Sequence, residues 1–316
     1  MLRDTLIYLS GSGTARRFVT RAPGARSMAR RFVAGETIED GINATRAINQ
    51  AGMSVTLDYL GESVHSREEA RAAADTYIQM ISRIAAEKLD ANVSMKLTQM
   101  GQDIDQGFLR ENVGRIIDRA RAVDMFVRFD MEASTHTQKT LDFFRSLWAE
   151  GYRNIGVVIQ SYLRRSHGDV EQLNADKVRV RLCKGAYKEP ESVAFQAKSE
   201  VDASFVRLMQ LLLEHGNYPG IATHDPAMVR ATREFAAARK IDSARYEFQM
   251  LYGVRRDLQQ QLVRDGYRMR VYVPFGEAWY PYLMRRMAER PANLFFIVNA
   301  VMRESPLRVL MGNERR

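Results

Sequence analysis

Eight short runs of apolar, mostly β-branched residues recur along the chain at 54–58, 92–97, 125–130, 155–160, 177–183, 220–224, 246–250 and 268–273. Their apolar residues alternate with polar ones, the period of a strand with two unlike faces. The stretches between them carry helical spacing instead, most clearly at 66–88, 107–121 and 190–214. Ser66 with Glu69 three residues on predicts a capping box, and Pro190 with Glu191 predicts a helix start. A last helix is expected from Trp279, stopped by Pro291.

Strand–helix alternation predicts a parallel sheet, because a crossover helix is what returns the chain to a parallel neighbour. Eight such units in about 225 residues match the size of a (β/α)8 barrel. The fold class is therefore α/β, a TIM-type barrel with an N-terminal helical extension. The expected division is residues 1–50 as a helical arm packed on the barrel and 51–316 as the catalytic barrel with C-terminal helices. A doubly wound open sheet would want a Gly-rich turn after its first strand, where this chain has Tyr59-Leu60-Gly61-Glu62. Gly11 and Gly13 form the Gly-x-Gly, with no strand before them, and read as a loop. Neither a Walker-type loop nor an H-E-x-x-H pair occurs.

Composition narrows the class. With 46% hydrophobic residues the 316-residue chain can build a core, which excludes general disorder. One cysteine excludes an intramolecular disulfide and a Cys-cluster metal site and fits a reducing compartment. The five histidines show no ligand spacing, so no metal is expected. The sequence holds no run of about 18 apolar residues, the length a membrane-spanning helix needs.

Net charge of +9 points at first to a polyanion partner. Residues 1–31 hold seven arginines against Asp4, a local excess of six that leaves three for the rest. This arm reads as a structural segment, a targeting segment or a surface-binding arm. The body carries no basic–aromatic stripe, so no nucleic-acid partner is expected.

Strand parity supplies the candidate chemistry. On seven strands the position opposite the apolar face near the C-terminal end is a large polar residue: Lys96, Asp130, Gln160, Arg181, His224, Gln249 and Tyr272. Barrel enzymes build their sites at that end. Polar groups turned into one interior need partners, which suggests a ligand, although Asp130 can also neutralise Lys96 or Arg181. A second group is Tyr282, Arg285, Arg286 and Glu289, which share one helix face. Two readings fit it: a solvated face with an Arg285–Glu289 pair, or a guanidinium clamp for a carboxylate or phosphate.

Several segments resemble the monofunctional bacterial proline dehydrogenase family. They include Phe32-Val33-Ala34-Gly35-Glu36-Thr37, Thr56-Leu57-Asp58-Tyr59-Leu60-Gly61-Glu62, Ser94-Met95-Lys96-Leu97-Thr98-Gln99 and Arg128-Phe129-Asp130-Met131-Glu132. Arg181-Leu182-Cys183-Lys184-Gly185-Ala186-Tyr187, Thr223-His224-Asp225, Glu247-Phe248-Gln249-Met250-Leu251-Tyr252-Gly253, Arg270-Val271-Tyr272-Val273-Pro274 and Tyr282 to Asn293 come after them in order. The resemblance implies an FAD-dependent enzyme that oxidises L-proline to 1-pyrroline-5-carboxylate by hydride transfer to flavin N5. It implies that Arg285 and Arg286 hold the proline carboxylate, while Lys96, Asp130, Tyr187, Tyr272, Tyr282 and Glu289 shape the pocket. Arg181 would meet the flavin, with Asp130 and Arg181 as the catalytic pair. Met131, Gln160, Cys183, Lys184, Gly185, Ala186, Thr223, His224, Gln249 and Leu251 would form the remaining flavin contacts. Cys183 stands where the family more often has an aliphatic residue. A membrane quinone is the implied acceptor, with the enzyme cytoplasmic and in peripheral contact with the inner face of the membrane; the oligomeric state stays open. The rivals are a Schiff-base aldolase using Lys96 or Lys184 and a polyanion-binding protein working through the arm.

Overall fold

The computed structural model describes residues 30–289, of which 285–289 are described by backbone alone. Residues 1–29 and 290–316 lie outside the described residues, and with them most of the Arg-rich arm, the Gly11/Gly13 loop and Pro291.

Eight parallel strands close into a barrel in sequence order: β1 (Ser54–Tyr59), β2 (Ala91–Met95), β3 (Val127–Phe129), β4 (Ile155–Gln160), β5 (Arg179–Cys183), β6 (Gly220–Ala222), β7 (Glu247–Leu251) and β8 (Met269–Phe275). Closure is by β1 on β8, with Ser54 opposite Arg270 and Tyr59 opposite Phe275. Each predicted strand exists: β4 has its predicted bounds, and the ends of the others move by at most two residues. Asp130 falls just past β3, yet its N–H still donates to Met95 O at 2.8 Å, so the ladder extends to it.

Helix α1 (Ile38–Gln50) precedes the barrel, helices α2 (Arg67–Ala86), α3 (Gln106–Arg121), α4 (Ser134–Ala149), α5 (Ser166–Ala175), α6 (Lys198–His215), α7 (Pro226–Ala238) and α8 (Arg256–Arg264) fill the seven crossovers, and α9 (Trp279–Glu289) follows β8. Along α2 the buried side chains are Ala70, Ala73, Ala74, Tyr77, Met80, Ile81 and Ile84, the three-and-four spacing of one helix face. All of them but Ala70 pack in one core with Val93, Met95, Val127, Phe129, Val157, Ile159, Val180, Leu182, Phe248, Val271 and Val273 from the outward faces of the strands. The strands are apolar outside and polar inside, as their parity predicts, and this sends charged side chains into the barrel.

Two local expectations need correction. At α2, Ser66 accepts from the Glu69 N–H at 3.1 Å, but the Glu69 carboxylate turns to the His65 N–H at 3.4 Å, so only half of the capping box forms. The helix expected from Pro190 begins instead at Lys198. Val193 and Ala194 donate back to Pro190 O in a turn, Ala194 pairs with Leu163, and Phe195 N–H donates to Tyr162 O at 2.8 Å. Glu189 takes the Ser134 N–H at the start of α4 at 2.7 Å. These contacts tie the segment across the mouth of the barrel, and its helical periodicity is overridden. Ahead of α1, Phe32 and Val33 join Leu60, Trp279, Tyr280, Tyr282, Leu283 and Met284 in a second apolar cluster. That cluster seats α9 beside the mouth.

Candidate active site

A cavity of about 530 Å³ opens at the C-terminal ends of the strands, within the range of small-molecule sites. Every predicted site residue whose side chain is described lines it. From β2, β3 and β8 come Lys96, Asp130, Met131 and Tyr272; from β4 and β5, Gln160, Arg181 and Cys183. The loop after β5 adds Lys184, Gly185, Ala186 and Tyr187; β6 and β7 add Thr223, His224, Gln249 and Leu251; α9 adds Tyr282. Arg285, Arg286 and Glu289 are on α9, but their side chains lie outside the described residues.

Asp130 is the centre of the polar network. Its Oδ1 accepts from Arg181 Nη1 at 2.9 Å and from the Ser94 hydroxyl at 2.6 Å, and its Oδ2 accepts from the Tyr272 hydroxyl at 2.7 Å. Lys96 Nζ stands 3.9 Å from Oδ2 and donates to Asp58 Oδ2 at 3.5 Å. The Arg181 guanidinium also lies 5.1 Å from the centre of the Tyr272 ring, a cation–π contact. Both alternatives for Asp130 are thus realised: it faces Lys96 and Arg181 together and lines the cavity as well.

Charge states are set by this packing. Burial works against ionising Asp130, but Arg181, Lys96 and the hydrogen bonds outweigh it and hold the carboxyl below its ordinary range. Burial would also strip the Lys96 proton, yet the Asp58 and Asp130 carboxylates raise its pKa above the ordinary value. Asp58 is pushed up by burial, which the neighbouring Lys96 offsets only in part. Tyr272 is raised well above an ordinary phenol by burial and Asp130, so it is a donor. A Schiff-base role needs a neutral lysine. Lys96 is kept protonated, and Lys184 is engaged by both Asp202 and Asp225. That rival loses its nucleophile.

Other lining groups are already engaged, which adjusts the roles expected of them. His224 Nε2 accepts the Leu251 N–H at 2.8 Å, which fixes the imidazole and ties together two of the residues expected to contact the flavin. The Thr223 hydroxyl accepts from the Asp225 N–H at 3.1 Å. Position 185 calls for glycine on local grounds. Its φ of +104° and the Tyr162 ring, 2.3 Å from where a Cβ would stand, already require it. Cys183, at the end of β5, is half-buried.

Strand parity missed Asp58. Thr56 and Asp58 oppose the outward Val55 and Leu57, so the signal was present on β1. Tyr77 of α2 reaches the same group, donating to Ser94 O at 2.8 Å and lying 3.4 Å from Asp58 Oδ1. Two buried polar atoms on cavity-lining side chains have no hydrogen-bond partner among the described residues: the donor Arg181 Nη2 and the acceptor Gln160 Oε1. Such groups are costly to bury unsatisfied and point to a polar ligand that carries both an acceptor and a donor. Among the described residues no group of three or more His, Cys, Asp or Glu side chains could hold a metal ion.

A closed parallel barrel with a convergent polar network and a ligand-sized cavity at its C-terminal mouth is the architecture of a TIM-barrel enzyme. The sequence profile of the proline dehydrogenase family matches residues 42–299. The chain is 40% identical over 304 residues to proline dehydrogenase 1 of Bacillus subtilis subsp. natto, covering 96% of this chain and 100% of that one. It is 42% identical over 281 residues to the proline dehydrogenase of Deinococcus radiodurans, covering 88% and 91%. Among solved structures, proline utilization A of Bdellovibrio bacteriovorus inactivated by N-propargylglycine superposes with a TM-score of 0.80 at 27% identity. That match covers 91% of this chain and 36% of the longer one. The chain belongs to the proline dehydrogenase family, in its monofunctional bacterial form.

Proposed function

We propose that the protein is an FAD-dependent enzyme that oxidises L-proline to 1-pyrroline-5-carboxylate, the first step in degrading proline to glutamate. The observation that carries this reading is the convergence of sixteen anticipated residues on one cavity, in a chain 40% identical along its length to a proline dehydrogenase. The unpartnered Arg181 Nη2 and Gln160 Oε1 fit the alternating acceptors and donors along the edge of a flavin ring. Bound there, FAD supplies the hydride acceptor, at N5, for the ring carbon of proline beside its nitrogen.

The chain's own residues do the rest. Arg181, fixed by Asp130 and Gln249, gives the cavity a cation that favours an electron-rich, anionic ligand. Lys96, Tyr187, Tyr272, Tyr282 and Glu289 shape the space for proline, and Arg285 and Arg286 take its carboxylate as a guanidinium clamp. Tyr272 and Lys96 are held by Asp130, so the substrate pocket and the flavin side share one anchor. Removal from water favours the neutral amine, whose lone pair assists loss of the hydride. Positioning is the main contribution of the protein.

Purified protein incubated with FAD turns yellow and, with L-proline and an artificial electron acceptor, produces 1-pyrroline-5-carboxylate. Protein that stays colourless contradicts the reading. The natural acceptor we assign is a membrane quinone, met by a cytoplasmic enzyme resting on the inner membrane face through its Arg-rich N-terminal segment. Co-sedimentation with anionic liposomes should fall as salt rises; indifference to salt and lipid charge contradicts this assignment.

A further inference from the structure

Beneath the cavity a second layer of buried polar groups leads away from the site. Arg181 Nε donates to Gln249 Oε1 at 2.6 Å, and Gln249 Nε2 donates to Glu247 Oε1 at 2.6 Å. Arg270 Nε donates to the same Oε1 at 2.7 Å, while the Tyr218 hydroxyl donates to Glu247 Oε2 at 3.1 Å. Tyr218 in turn accepts from Arg268 Nη1 at 3.2 Å. The side chain of Glu247 is 4% exposed, so it meets no bulk solvent that could replace these partners.

This geometry leaves the Gln249 amide one orientation. Turned over, its NH2 would face the guanidinium and its oxygen would face the carboxylate, two repulsive pairs in a medium where each is costly. Gly220 makes room for it. The residue pairs with Arg181 on one side and Glu247 on the other, and a Cβ there would stand 2.3 Å from Gln249 Nε2. With Nε held by Gln249 and Nη1 by Asp130, the guanidinium plane is fixed along two edges, leaving Nη2 for a ligand.

We propose that Glu247, acting through Gln249, is a positioning residue that orients Arg181 toward the bound flavin and thereby raises the flavin's reduction potential. Glu247 touches neither the cavity nor any ligand in it; its effect passes through two hydrogen bonds. The inference rests on the FAD reading above.

The test is the midpoint potential of the FAD-loaded protein, measured for the wild type, Glu247→Gln and Gly220→Ala. The two substitutions disturb the Gln249 amide in different ways: one weakens its anchor, the other fills its space without changing any charge. A misplaced Arg181 stabilises reduced flavin less, so both variants should favour the oxidised form by about tenfold, or ~30 mV for a two-electron couple. Loss of the Glu247 charge through space alone acts in the opposite sense and would raise the potential. Both potentials falling supports the proposal. A potential that is unchanged or raised in either folded variant overturns it, as a purely structural network would lower melting temperature without moving the potential. Should one variant fail to fold, the other decides by the same sign. A wild-type protein that binds no flavin overturns the FAD reading itself, an outcome distinct from a yellow wild type with unshifted variants.

Discussion

Replacing Asp130 by asparagine removes the one carboxylate that Arg181, Lys96, Ser94 and Tyr272 share. Whichever way the new amide turns, its NH2 faces a donor, either Arg181 with Ser94 or Tyr272 with Lys96. Unit charges about 4 Å apart attract by roughly 4 kcal/mol at an effective dielectric constant near 20. Truncating one partner of a buried pair costs about 3–5 kcal/mol, because the other charge stays buried without compensation. Arg181 is 7% exposed and Asp130 11%, so the buried case applies. At about 2–4 °C per kcal/mol for a domain of roughly 150–250 residues, the melting temperature should fall by roughly 6–20 °C. Adding Arg181→Met should recover part of this loss, with a coupling energy of at least about 1 kcal/mol in the double-mutant cycle. Thermal melts of the wild type, both single variants and the double variant measure it. A melting temperature for Asp130→Asn within about 1 °C of wild type, or strict additivity in the cycle, would refute the reasoning.

Gly185→Ala forces a side chain into left-handed backbone and against the Tyr162 ring. It should destabilise by about 1–3 kcal/mol, visible as a lower denaturation midpoint, and an unchanged midpoint argues that the loop is free to rearrange. Burial opposes ionising Asp225, but the Lys184 ammonium and the Ala227 N–H outweigh it and bring the carboxyl down to about 2 from an ordinary 3.8. A depressed acid stabilises the fold above its unfolded pKa and loses that contribution as pH falls through its folded value. The stability gap between wild type and Asp225→Asn should therefore be level from neutral pH to about pH 4 and close toward pH 2; urea melts across that range would show it. Arg286→Lys gives up a two-pronged guanidinium for a point charge, so the Michaelis constant for proline should rise while FAD content holds. A constant that does not move would remove the carboxylate-clamp assignment.

The barrel is legible in the chain because its two periods are clean: alternation in the strands and helical spacing between them. The inward polar set is legible for the same reason, since a residue's parity on a strand fixes the face it occupies. What escapes a sequence reading has physical causes. Asp58 lies near the end of the first strand without an obvious partner in sequence, and Lys96 becomes its neighbour only when β1 and β2 pair. The start of α6 departs from the helical periodicity because Glu189 and Ala194 serve partners on other elements, and such tertiary contacts override local propensity. The reason for Gly185 is also invisible, as the Tyr162 ring that excludes a Cβ comes from the turn after β4. The engagement of His224 with Leu251 joins strands β6 and β7 and leaves no trace in local sequence.

Anaerobic titration of the FAD-loaded protein with L-proline, followed in the visible flavin bands, tests the central claim most directly. The account predicts that the bands bleach as proline is added and that 1-pyrroline-5-carboxylate appears in proportion to the flavin reduced. A flavin spectrum that proline leaves unchanged, in protein that melts cooperatively, would contradict it.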